Sequence, residues 1–164
     1  MVICRMSTSC SLLLAAVLTA GCNPESAPGE SPGTAETATA GAEAVPARSA
    51  SPEGAAVRFI TPQDGATVSS PVRVEFEVTG MELVPAGNNQ ANSGHHHILI
   101  DTGLPDLNLP VPADAQHVHF GDGSSSTELV LPPGRHTLQL LFADYLHVPH
   151  ETPVYSEQIE ITVE

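Results

Sequence analysis

The chain lacks most of the residues that build disulfides, thiolate sites and basic surfaces. It has no lysine or tryptophan, and its three cysteines, Cys4, Cys10 and Cys22, all lie in the first 22 residues. Beyond Cys22 there is therefore no thiol for a disulfide, a zinc ribbon or a thiolate nucleophile. Met81 is the only methionine after this segment, which leaves a thioether-rich Cu(I) site without support.

Positive charge is equally scarce. Five arginines stand against nineteen acidic residues, which gives a formal net charge of −14 at pH 7. Such a surface repels nucleic acid and anionic lipid headgroups and attracts cations. No nucleic-acid partner is expected.

An apolar run near the N-terminus is too short to span a bilayer as a helix. Arg5 precedes this run at residues 11–18, and the segment closes with Thr19-Ala20-Gly21-Cys22. It resembles a bacterial lipoprotein signal at residues 1–21, which is cleaved before a lipidated Cys22. The position three before the cysteine is usually apolar in such signals, and here it is Thr19. The resemblance implies an exported protein, periplasmic or at the cell surface, which the lipid on Cys22 attaches to a lipid bilayer.

The remaining chain divides into two parts by amino-acid composition and pattern. Residues 22–56 are rich in Pro, Ala, Gly and Ser with almost no large apolar side chain, which predicts a disordered linker. From Val57 onward, short β-like runs alternate with turn signals, as in residues 72–78, and no segment has a helical period. About seven short strands within residues 57–164 predict an all-β, immunoglobulin-like antiparallel β-sandwich.

Two finer predictions concern the second half of this domain. Residues 127–131 and 136–142 flank Pro132-Pro133-Gly134-Arg135, which indicates a hairpin. Residues 154–163 alternate towards their end and predict one closing strand.

Histidine is the abundant unusual residue, and all eight histidines lie at or after residue 95. Alternation along a strand puts His95, His97 and Asp101 on one face and His96 on the other. His117 and His119 likewise share a face. Two His-x-His pairs on neighbouring strands are able to converge on one metal ion, because metal–nitrogen bonds of about 2.0–2.1 Å span that gap.

This pattern predicts a metal or small-ligand site, and the expected cofactor is Cu²⁺ or Zn²⁺ because imidazole suits these ions. Asp101 and Asp144 are expected to orient imidazoles through their second nitrogens. Two histidines are predicted to be structural: His96, which shares a face with isoleucines as a hydrogen-bonded core residue, and His136, at the start of a strand. The predicted ligands are His95, His97, His117 and His119, with His147 or His150 as a further contributor.

Two other interpretations remain open. The histidines form a hydrogen-bond network in a structural or adhesive envelope module, or the site is a metal hydrolase. Catalysis has little support, because the chain has no Gly-x-Ser-x-Gly elbow, no His-Glu-x-x-His pair and no Gly-rich phosphate loop. The chain is therefore not expected to be an enzyme.

Four histidine-containing motifs follow one another in the folded part. Residues 57–164 resemble the small exported bacterial domain-of-unknown-function family 4399 through these motifs. The resemblance implies an exported domain with this histidine pattern, and it brings no activity with it. The motifs are Gly94-His95-His96-His97-Ile98-Leu99-Ile100-Asp101, His117-Val118-His119-Phe120-Gly121, Pro133-Gly134-Arg135-His136-Thr137-Leu138-Gln139-Leu140 and His147-Val148-Pro149-His150.

Overall fold

The computed structural model describes residues 47–164, and within this range the chain is all-β. It contains no helix there that is long and apolar enough to cross a membrane. The predicted signal and Cys22 lie outside the described residues. The ten strands are β1 (Ala56–Thr61), β2 (Thr67–Val68), β3 (Val72–Thr79), β4 (Glu82–Leu83), β5 (Ser93–Ile100), β6 (His117–His119), β7 (Ser126–Leu129), β8 (Gly134–Ala143), β9 (Pro149–Tyr155) and β10 (Ile159–Val163).

Two sheets form a sandwich, as the sequence predicts. The smaller sheet has the order β1-β3-β7 and is antiparallel. The larger has the order β2-β10-β8-β5-β4, with β6 also paired to β5 and β9 to β8. This is the strand order of an immunoglobulin-like sandwich, in which β1, β3 and β7 stand for A, B and E, and β5, β8 and β10 for C, F and G. The larger sheet is mixed, because β2 and β4 pair in parallel with β10 and β5.

The core between the sheets comes from strict alternation. In β3 the side chains of Val72, Val74 and Phe76 are at most 1% exposed and face the other sheet. In β8 the corresponding residues are Leu138 and Leu140, followed by Phe142. Burial of such apolar faces contributes the main free energy that holds two sheets together.

Strand β5 is buried on both faces along its whole length. Its inner face joins the core through Ile98 and Ile100. Its outer face lies beneath the Pro-rich loop at 101–116, where Leu99 packs in a second apolar cluster with Val111. A strand covered on both sides carries apolar residues on both faces, as Ile98, Leu99 and Ile100 do here.

The predicted hairpin at residues 132–135 is wrong. Strand β7 pairs with β3 and β8 pairs with β5, so the segment crosses from one sheet to the other. Pro132 and Pro133 have no amide hydrogen for a hairpin ladder, and Leu131 is drawn into the core. The same Pro and Gly signals serve a crossover as well as a turn.

The predicted closing strand is divided in two. Ser156 separates β9 from β10: its N–H donates to the Leu140 carbonyl and its hydroxyl accepts from the Leu140 N–H. The Ser156 hydroxyl thus takes the place of a backbone carbonyl as the acceptor for the Leu140 N–H. The two-residue strands β2 and β4 were not predicted, because two residues carry no period.

The folded unit begins earlier than residue 57. Within the range 22–56 predicted as linker, Ser51 N–H donates to the Glu151 carbonyl at 2.8 Å, and Glu151 N–H donates to the Ser49 carbonyl at 2.9 Å. The Arg48 guanidinium donates to the carbonyls of Pro149 and His150. Backbone pairing with β9 orders residues 48–51 without any large apolar side chain, which composition alone does not reveal.

His136 fastens the crossover between the sheets. It stands at the start of β8, where immunoglobulin-like domains place a tyrosine that bonds back to the upstream backbone. Its Nε2 donates to the Pro132 carbonyl at 2.9 Å and its Nδ1 to Asp101 at 2.8 Å. Both partners are acceptors, so the doubly protonated ring satisfies both. The hydrogen bond to Asp101 raises the pKa of His136 above its usual value.

Because the folded-state pKa of His136 is raised, its stabilisation is complete below the unfolded pKa, near 6.5, and is lost as pH rises through the folded pKa. We expect Asp101→Asn to keep the bond from Thr137 N–H and to cost about 1.5–3 kcal/mol, the range for hydrogen bonds to charged groups. The difference in unfolding free energy between wild type and variant, measured in urea at pH 5.5, 7 and 8.5, should shrink with pH. A difference independent of pH would contradict a charged His136.

Candidate metal centre

The outer face of the larger sheet gathers four imidazoles. Strand β6 pairs antiparallel with β5 so that His119 lies opposite His97. Alternation along β5 then brings His95 to the same face, and it sends His96 into the core. His147 comes from the turn between β8 and β9 and completes a set that we call the histidine cluster: His95, His97, His119 and His147.

Their ring nitrogens are close. The Nε2 atoms of His95 and His97 are 3.2 Å apart, and those of His119 and His147 are also 3.2 Å apart. One nitrogen each from His95, His97 and His119 lies within 4.8 Å of the others. Bonds of about 2.0–2.1 Å to a common ion place nitrogen pairs about 3–4 Å apart. Two of the nitrogen pairs, His95 with His97 and His119 with His147, therefore have the spacing of ligands to one ion.

The cluster has a buried half and an open half. His95 and His97 are 0% and 2% exposed, and the Nδ1 atom of each has no hydrogen-bond partner among residues 47–164. His119 is exposed and His147 is half-buried. Buried polar atoms without a protein partner are rare, so each of these atoms calls for an explanation. Solvent reaches the cluster from the side of His119.

Burial keeps the inner imidazoles neutral. It lowers the pKa of His95 to about 4, with further lowering from His147 and His119 and a partial offset from Asp144. The pKa of His97 is lowered even more, chiefly by burial and then by His95. The pKa of His119 is also lowered, by burial and by His147. Neutral imidazole is the form that binds metal. At neutral pH these three rings therefore have the protonation state that metal binding requires.

The turn that carries His147 is tightly held. His147 has a left-handed backbone with φ of 66°, and its N–H donates to the Asp144 carbonyl at 2.8 Å. One Asp144 carboxylate oxygen accepts from the N–H groups of Leu146 and Val148, and the other accepts from the Ser49 hydroxyl. The sequence predicts that Asp144 orients an imidazole directly. In the structure, Asp144 instead hydrogen-bonds the backbone of the turn.

Two glycines make room for the cluster. A Cβ added at Gly121 would lie 2.4 Å from the His119 ring carbon Cε1, so the ring folds over this position. A Cβ at Gly94 would lie 2.3 Å from the Ala143 carbonyl, so Gly94 permits the close approach of β5 and β8 beside His95. Sequence reasoning missed both roles. The available signal was that each glycine lies within a histidine-containing motif.

Besides Asp144, three residues predicted for the site lie outside the cluster. His117 stands opposite Leu99, and its Nδ1 bonds Asp114 at 2.7 Å. His150 is buried with Nε2 3.1 Å from the Ser93 carbonyl and Nδ1 3.5 Å from that of Phe142, so both nitrogens face backbone oxygens. Asp101 orients His136 instead of a cluster imidazole.

His96 occupies the core as the alternation predicts, but it is not hydrogen-bonded. It lies edge-on to Phe76 and Phe142, with ring centroids 4.7 and 5.0 Å apart. Neither nitrogen has a hydrogen-bond partner in the described part of the chain, and burial lowers its pKa to about 4. Edge-to-face contact with aromatic rings is a weak substitute for a hydrogen bond.

Sequence comparison places this site within a family. A family model described as Domain of unknown function (DUF4399) matches residues 74–164, which include most of β3, all later strands and all eight histidines. No curated protein matches the chain.

We expect the inner rings of the metal-free chain to stay neutral in mild acid. Titration of the ring Cε1–H signals by NMR should show no protonation of His95 or His97 between pH 7 and 5, whereas His136 should titrate above 6.5 and serve as an internal control. The unfolded chain binds these protons near pH 6.5 and the folded chain does not. Stability should therefore fall as pH drops from about 6.5 towards 4. A midpoint near 6.5 for His95 would contradict the buried cluster.

Proposed function

The chain belongs to the DUF4399 family of domains of unknown function, and we propose from its geometry that it binds a divalent transition metal, Cu²⁺ or Zn²⁺, through the histidine cluster. The observation that carries the proposal is the convergence of His95, His97 and His119, whose ligand nitrogens lie within 4.8 Å of one another. His147 adds a fourth nitrogen, 3.2 Å from that of His119. We propose binding and no catalytic step.

The donor set supports these metals over others. Four imidazoles without thiolate or thioether suit Zn²⁺ or Cu²⁺, whereas calcium and magnesium require oxygen ligands. The lowered pKa values of His95, His97 and His119 keep lone pairs available at neutral pH. A formal net charge of −14 attracts a cation to the exposed side of the cluster.

A second candidate is a structural or adhesive envelope module in which the histidines form a hydrogen-bond network. The two Nε2 to Nε2 separations of 3.2 Å favour it, because two neutral imidazoles are able to hydrogen-bond at that distance. This network holds no metal. Metal content after reconstitution therefore separates the two functions.

We expect the purified full chain, freed of metal with a chelator, to bind one Cu²⁺ or Zn²⁺ in calorimetric titration and to melt at higher temperature when loaded. His119→Gln should weaken binding at least about tenfold, since loss of even an outer partner of a ligand costs 10–100-fold. His117→Gln is the matched control. It lies two residues away on β6, outside the cluster, and should leave the affinity unchanged.

A glycine pair tests the same geometry without removing a ligand. Gly121→Ala should displace the His119 ring and weaken binding, whereas Gly103→Ala, whose Cβ would meet nothing within 4 Å, should not. Absence of bound metal in the reconstituted wild type, or equal affinities for His119→Gln and His117→Gln, would overturn the metal proposal. The hydrogen-bond network would then be the better account.

We also propose that the protein is an envelope lipoprotein, with lipid on Cys22. The support is the sequence pattern Thr19-Ala20-Gly21-Cys22 after an apolar run. An acidic surface has no affinity of its own for anionic headgroups, so the lipid supplies the attachment.

Detergent phase partitioning tests this attachment. The wild-type chain expressed in a bacterium should enter the detergent phase, and Cys22→Ser should move it to the aqueous phase or leave an uncleaved precursor. Cys10→Ser, within the predicted signal, is the matched control and should behave as wild type. Wild type found in the aqueous phase would contradict lipid attachment.

A further inference from the structure

The four imidazoles of the histidine cluster are unevenly spaced. Five of the six pairs have ring centroids 4.8–5.1 Å apart, but those of His97 and His147 are 6.0 Å apart. A cavity of about 260 Å³ lies at this wider gap, since its wall includes both of these rings together with His119. The cluster therefore surrounds an ion incompletely, and its open side faces a cavity.

The remaining wall of this cavity is apolar. It consists of residues 110–113, Pro-Val-Pro-Ala, whose side chains have no hydrogen-bonding group and no charge. The Val111 N–H is already bonded to the His147 carbonyl at 2.9 Å, which also fixes this segment beside the cluster. A guest in the cavity finds no polar side chain except the imidazoles, so only an ion held by them is able to bind it strongly.

We infer that an ion in the histidine cluster keeps one coordination position open towards this cavity and takes a small monodentate ligand there. The inference rests on the proposed metal site. Metal sites with an open position exchange water for an incoming ligand, and Cu²⁺ in particular accepts ligands beyond a first set of imidazoles. The cavity wall offers no charged group and no polar side chain beside the imidazoles. The ligand class is therefore a small neutral molecule or monoanion with one lone-pair donor atom.

Azide is a suitable probe, because its bond to Cu²⁺ produces a charge-transfer absorption band. Copper is first bound to the full chain and its stoichiometry is measured by elemental analysis. Azide is then titrated into the loaded protein. We expect a saturable new band in the wild type and at least a tenfold weaker azide affinity in Ala113→Phe, which places an aromatic ring at the cavity wall. Ala115→Phe is the matched control: the residue is exposed in the same loop and does not line the cavity.

The outcomes separate the inference from the proposal beneath it. Copper retention with no azide band would overturn the open position and leave the metal site standing. An azide affinity equal in wild type and Ala113→Phe would overturn the cavity as the access route. Failure of the wild type to bind copper at all would overturn both. Equal copper stoichiometry in both phenylalanine variants, with azide binding lost in Ala113→Phe alone, supports the inference.

Discussion

The candidate site depends on the burial of β5 on both faces. Because β5 lies between β8 on one side and β4 and β6 on the other, its backbone groups are paired and its side chains alternate between two covered surfaces. One surface is the sandwich core and the other lies beneath the loop at 101–116. The second surface removes His95 and His97 from water, so their charge state, their missing hydrogen-bond partners and their closeness all follow from it.

Alternation within each strand was predictable, because a period of two shows in a single sequence. It separated His96 from His95 and His97, and it located the core residues of β3 and β8. Partners across space were harder. The segment at 132–135 carries the same turn residues whether it joins neighbours in one sheet or crosses between two. Only the pairing of β7 with β3 decides between these arrangements.

The ligand set was predictable in part for the same reason. His95, His97 and His119 lie on strands, where alternation specifies direction. His147 and His150 lie near a turn, and the spacing between them carries no periodic signal. A left-handed backbone at His147 and two carbonyl partners for His150 direct one ring into the cluster and keep the other out. His117 shares a face with His119, but it lies opposite Leu99, one strand step beyond the cluster, and bonds Asp114.

A metal site and a hydrogen-bond network differ in which imidazole nitrogens they leave without a partner. A neutral imidazole has one donor and one acceptor, so a bond between the Nε2 atoms of His95 and His97 leaves one orphan Nδ1–H and one orphan Nδ1 lone pair, both buried. Each orphan costs about 1–3 kcal/mol. A metal on both Nε2 atoms would leave two orphan N–H groups instead, a similar cost. The orphan atoms alone therefore favour neither arrangement, and metal content after reconstitution decides between them.

The same arrangement accounts for how an ion would enter and be held. His95 and His97 are fixed on the central strand and buried, so they form a preorganised pair. His119 is exposed and His147 is half-buried, so their rings are less confined than those of the inner pair. Asp144 accepts from the backbone N–H groups of the turn that carries His147, and it also accepts from the Ser49 hydroxyl, which lies within the range predicted as linker. The start of the folded unit therefore contributes to the site. If the cluster binds an ion as proposed, the ion would meet His119 and His147 first and His95 and His97 second.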